Sequence, residues 1–129
     1  MARVLDAAAM IAAMDPEPGE GAWVFCTDPP EPLLAQAWAT IREAEGLSAL
    51  VPEAAARAHG LDVSQPMRRI SLRFASDLEG VGLTAAVAGA LAAEGIACNM
   101  TAGHHHDHAF VPARDAGRAL AVLRARAAA

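Results

Sequence analysis

The chain contains no lysine and no tyrosine, so its ten basic residues are all arginine. They face fifteen acidic residues, which leaves a formal net charge of -5. That balance excludes the broad basic face on which non-specific nucleic-acid binding depends. Aromatic residues make up 4% of the chain, too few for a base-stacking platform, and Trp23 and Trp38 are expected in the core. No apolar run reaches the roughly 18 residues of a membrane span. The longest early run, AAAMIAAM (7–14), follows Asp6 and precedes the acidic DPEPGEG, so it reads as an amphipathic N-terminal helix rather than a signal peptide. The expected location is cytoplasmic. Only two cysteines are present, Cys26 and Cys98, each inside an apolar run and without a C-x-x-C spacing, as expected of reduced, buried thiols.

What is abundant is apolar material. Hydrophobic residues are 54% of 129, enough for one compact domain or for two half-size lobes sharing a core. The alanine and arginine excess is expected from genomic base composition rather than from function.

In the first half, residues 4–14 read as a short helix and DPEPGEG (15–21) as a loop. AWVFC (22–26) is a buried strand, broken by TDPPEP (27–32). LLAQAWATI (33–41) fits either a helix or a strand. EAEG (43–46) is a turn, LSALV (47–51) a strand, and PEAAARAHG (52–60) a helix opened by proline and stopped by Gly60. In the second half, Ile70, Leu72 and Phe74 alternate with Arg69, Ser71 and Arg73, giving a strand with one buried face. Ser76 or Asp77 is positioned to cap the helix that follows, on which Leu83, Val87 and Leu91 make one stripe. Gly89 costs that helix about 1 kcal/mol and reads as a close approach to a strand. IACNM (96–100) and HHDHAFV (105–111) are strands joined through Ala102-Gly103, and Ala116, Ala119, Leu120 and Leu123 line the inner side of a last helix.

Several groups carry candidate chemistry. The turn SDLEGVGL, from Ser76 through Asp77, Leu78, Glu79, Gly80, Val81 and Gly82 to Leu83, joins a strand end to a helix start, where free backbone N–H groups attract a carboxylate. Gly80 and Gly82 allow the backbone close approach to a ligand. Asn99 is uncommon in a strand and offers an amide to the same pocket. Strand alternation puts His104, His106 and His108 on one face, three imidazoles that suit Zn²⁺ or Ni²⁺, although a structural or solvent-facing role is as open to them. Arg42, Glu43 and Glu45 read as a solvated turn with a surface ion pair. No Ser-His-Asp order is present, and Cys98 shares its strand face with Ile96 and Met100, which argues against a Cys-His nucleophile.

The pieces VFCT (24–27), REAEGLS (42–48), RRISL (68–72), SDLEGVGLTAA (76–86), GIACN (95–99) and HDHAFVP (106–112) stand in an order that resembles the ACT domain, the βαββαβ amino-acid-sensing module. More narrowly, the chain is similar to small bacterial ACT-like proteins once described only as a domain of unknown function. The likeness runs from about residue 20 to 125. It departs at His104 and His105, where aromatic residues are common in that group. The resemblance implies an α+β fold of two ferredoxin-like lobes packed together, with an antiparallel sheet and helices on one face. Residues 1–62 would be an N-terminal lobe, incomplete or permuted, and residues 63–129 a C-terminal one. It further implies non-catalytic binding of a small molecule, an amino acid, by Ser76–Leu83 and Asn99, with no cofactor, no catalytic residues, no nucleic-acid or membrane partner, and self-association. A histidine-based metal-binding protein and a ligand-free interaction module are the alternatives.

Overall fold

The computed structural model describes residues 12–73 and 82–128. Its strands are β1 (Pro16–Pro18), β2 (Trp23–Thr27), β3 (Ala39–Glu43), β4 (Gly46–Pro52), β5 (Met67–Leu72), β6 (Asn99–Ala102) and β7 (Asp107–Pro112). Its helices are α1 (Glu31–Leu34), α2 (Glu53–Ala58), α3 (Leu83–Ala93) and α4 (Ala116–Ala128), the last entered through a 3₁₀ turn, Ala113–Asp115. All strand pairs are antiparallel, in the order β3-β4-β2-β5-β7-β6, and β1 adds to β5 beside β2.

This order contains the βαββαβ unit twice. β2-α1-β3-β4-α2-β5 is the first copy. The second runs β5-α3-β6-β7-α4 and is completed by β1, from the other end of the chain. β5 therefore closes one lobe and opens the next. Separating the chain at residues 62 and 63 would take β5 from the first lobe and β1 from the second.

β1 stands where a loop is expected. Prolines tolerate a sheet edge because no ladder donor is needed there. The non-proline flanks supply the bonds instead, Gly19 N–H to the Arg69 carbonyl at 2.8 Å and Arg73 N–H to the Asp15 carbonyl at 3.0 Å. The ambiguous stretch 33–41 is neither one helix nor one strand. Pro30 and Pro32 allow the single turn α1, and Trp38 then bonds through its amide to the Leu50 carbonyl and leads into β3.

The register decides the faces. Trp23 lies opposite Met67, so Val24 and Arg68 point to the other side. On that side Val24, Ala49 and Val51 meet Leu33 of α1 and Ala56 of α2. Ile70, Leu72, Ala109 and Val111 meet Leu83, Val87 and Leu91 of α3 and Ala119 and Leu123 of α4. These four helices thus cover one face; the expected stripe on α3 is buried, and on α4 Ala119 and Leu123 are buried with Ala116 and Leu120 packed partly exposed beside them. Gly89 has open space where a side chain would stand, so it marks no close approach to a strand.

The opposite face holds a smaller core of Leu50, Met67 and Phe110, with Trp23 and Trp38 against it. Four steps at about 4.8 Å per strand separate β3 from β7 in a flat sheet, roughly 19 Å. Yet the Trp38 ring, just before β3, packs edge-on to Phe110 and His108 of β7, with centroids 5.1 and 4.6 Å apart. The sheet is therefore curled, and Trp38 bridges its concave side.

Candidate functional site

Of the turn Ser76–Leu83, only Gly82 and Leu83 are among the described residues; Ser76, Asp77, Leu78, Glu79, Gly80 and Val81 lie outside them. Gly82 is the N-cap of α3, with φ +106°, a region that favours glycine. Among the described residues no side chain caps this helix start. Leu83 points inward and is buried.

Asn99 opens β6 and lies opposite Phe110, and its amide donates to the Met67 sulfur at 3.6 Å, at the start of β5. Gly82 follows the other end of β5, and α3, eleven residues and about 16 Å long, lies between Gly82 and β6. The described part of the turn, Gly82 and Leu83, thus stands at the opposite end of α3 from Asn99.

Asn99 lines a cleft of about 640 Å³. Only Trp23 of β2 is in register with β5, at Met67. The rest of β2 runs past the beginning of β5, and the linker 62–66 passes beside it. Val24, Phe25, Pro66, Met67 and Pro112 give the cleft an apolar lining. Asp62 and Arg114 give it one charge of each sign. Asp62 accepts the Ser64 amide at 2.9 Å, a tight local turn. Hydrogen bonds from the Ser64 side chain and amide hold the Asp62 carboxyl below its usual range. Neither Asp62 nor Arg114 is singled out by the sequence pattern; the D-x-S spacing in LDVSQP is the one local signal.

A polar group occupies the concave face. Arg69 donates to the Ser71 hydroxyl at 2.6 Å, and Ser71 lies 2.8 Å from His108 Nδ1. The Arg69 guanidinium also sits 5.5 Å from the Trp38 ring centre, within reach of a cation–π contact. Burial pushes the His108 imidazole below its ordinary value, and the neighbouring Arg69 and His106 push the same way against Asp107. These effects disfavour the charged imidazole beside the Ser71 hydroxyl.

β7 begins at Asp107, so His104 and His105 fall in the preceding bend and not on a strand face. The shared face expected for His104, His106 and His108 is corrected accordingly. Among the described residues no three His, Cys, Asp or Glu side chains gather to hold a metal ion. Cys26 and Cys98 are free thiols, both raised by burial. β6 starts only at Asn99, so Ile96 and Cys98 precede the strand. No helix among the described residues is long and apolar enough to cross a membrane.

A doubled βαββαβ sheet with all helices on one face is the architecture of paired ACT lobes. Two ACT-domain family models match the chain, over residues 4–68 and 63–125. The chain belongs to the ACT-domain family. It is similar to VC0802 of Vibrio cholerae, a protein of unknown function described as a possible transport protein, with 39% identity, 90% of this chain and 92% of that one covered, and a TM-score of 0.79. Protein Atu0741 of Agrobacterium tumefaciens shares the fold at 16% identity, with 88% and 89% covered and a TM-score of 0.63. Among curated proteins, none matches.

Proposed function

We propose that this ACT-domain protein is a non-catalytic sensor of a small molecule of the amino-acid class. The supporting observation is the pair of ACT lobes built on one sheet, with α3 entered through Gly82 in the left-handed region. Backbone amides at such a helix start hold a carboxylate, and the turn Ser76–Leu83 is our proposed seat for it. Because β5 belongs to both lobes, a ligand that prefers one arrangement of either lobe biases the other. The output passes through self-association or a partner protein in the cytoplasm.

The test is a thermal-shift screen of metal-free protein against the twenty amino acids. Binding to the folded state stabilises it by about 2.7 kcal/mol when ligand is a hundredfold above Kd. A rise in Tm with one amino-acid class supports the reading. No rise with any of the twenty overturns it and leaves an interaction module as the better description.

A further inference from the structure

We infer that the cleft between β2 and the start of β5 is a binding site for a small zwitterion, separate from the turn Ser76–Leu83. This inference rests on the amino-acid reading above and adds a site to it.

Three observations converge. First, the space is of ligand size: about 640 Å³ falls inside the 300–1,000 Å³ typical of small-molecule sites. Second, the sheet is incomplete there. β2 is in register with β5 at a single position, Trp23 with Met67, so the β5-facing edge of residues 24–27 has no strand partner among the described residues. The linker 62–66 runs alongside without a backbone hydrogen bond to it among the described residues. Main-chain donors and acceptors thus border the cleft. Third, the side chains divide by chemistry. Asp62 supplies an anion already fixed by Ser64, Arg114 a cation, and Asn99 an amide, around an apolar floor of Phe25 and Met67.

An ammonium group fits Asp62, a carboxylate fits the Arg114 fork, and the carbon body fits Phe25 and Met67. Arg114, itself exposed, approaches Asp115 at 3.9 Å, a long contact, while Asp115 is held more closely by Arg118 at 3.3 Å, which leaves the Arg114 fork open to a ligand carboxylate. The site draws on both lobes: β2 comes from the first, Asn99 and Arg114 from the second, and β5 from both.

Calorimetric titration of the full chain tests this, with L-leucine, N-acetyl-L-leucine, which lacks the ammonium, and L-leucinamide, which lacks the carboxylate. If leucine binds, both analogues bind at least about tenfold more weakly. Asp62→Asn weakens leucine by roughly three- to tenfold but not N-acetyl-L-leucine, and Arg114→Gln weakens leucine but not L-leucinamide. If leucine binding survives both Asp62→Asn and Arg114→Gln undiminished, the cleft is overturned and the sensor reading stands. If leucine does not bind the native chain, the cleft is overturned, and if none of the twenty amino acids binds, the sensor reading falls with it. Asp62 and Arg114 are surface residues, so both variants are expected to fold, and unchanged circular dichroism checks this.

Discussion

Ser71 on β5 and His108 on β7 stand directly opposite one another, with the serine oxygen 2.8 Å from His108 Nδ1. The bond ties the shared strand to its neighbour on the face that carries no helix. Arg69 reinforces it by donating to the same hydroxyl, which links guanidinium, hydroxyl and imidazole.

Ser71→Ala removes the middle of that chain. It leaves a half-buried guanidinium and imidazole without their bridge, at a cost of about 1–3 kcal/mol. Urea unfolding measures it; a change below about 0.5 kcal/mol would mean that water replaces the hydroxyl.

The same pair sets a pH dependence. His108 has a folded-state pKa below its ordinary 6.5. Between the two values the unfolded chain binds the extra proton, so stability rises with pH. The contribution is fully present above 6.5 and is lost progressively as pH falls through and below it. Arg69 and His106 repel the added charge and Asp107 attracts it. Tm is expected to fall between pH 7.5 and 5.5, and less steeply in His108→Gln. Identical slopes in the two proteins would place the dependence elsewhere.

Since β5 belongs to both lobes, the chain is expected to unfold in one transition. Trp23 and Trp38 flank the concave core and report on it by fluorescence, while circular dichroism reports on the helices of the other face. The two curves should coincide, as two-state unfolding requires. Phe110→Ala, emptying a site 1% exposed, should shift both curves together by about 3–5 kcal/mol. Separate midpoints would show that the lobes fold independently.

Deleting residues 1–18 removes β1 and, with Met14, part of the helix-side core. The Ile70–Leu72 edge of β5 is then uncovered, and an uncovered edge pairs with other chains. A lower Tm together with concentration-dependent association by light scattering is expected. A monomer of unchanged Tm would show that β1 is dispensable.

Gly46 has φ +142°, and the Asp28 carboxylate fills the space a side chain would take, where it accepts the Leu47 amide at 2.8 Å. Gly46→Ala combines an unfavourable backbone with a displaced hydrogen bond, so a loss of about 1–3 kcal/mol is expected in thermal or urea unfolding.

Periodicity made much of this protein legible. The stripe Leu83, Val87, Leu91 and the pair Ile70 and Leu72 follow helix and strand periods and are buried, but Ser71, expected on an open face, is buried as well, because the sheet curls over it. The ordered pieces from VFCT to HDHAFVP resemble the ACT pattern closely enough to have implied the two-lobed fold. Other features depended on partners far along the chain. PEP is a strand only because β5 offers it an edge, and Trp38 is a bridge only because the sheet curls. Asn99 lines a cleft at the far end of α3 from Gly82, because α3 runs along the sheet before β6 can start. Asp62 and Arg114, 52 positions apart, share that cleft through sheet order alone. The sequence by itself determined which residues meet the helices, because that burial follows a local period. The tertiary structure decided which polar groups meet, because their meeting depends on strand order and curl, and neither leaves a periodic trace.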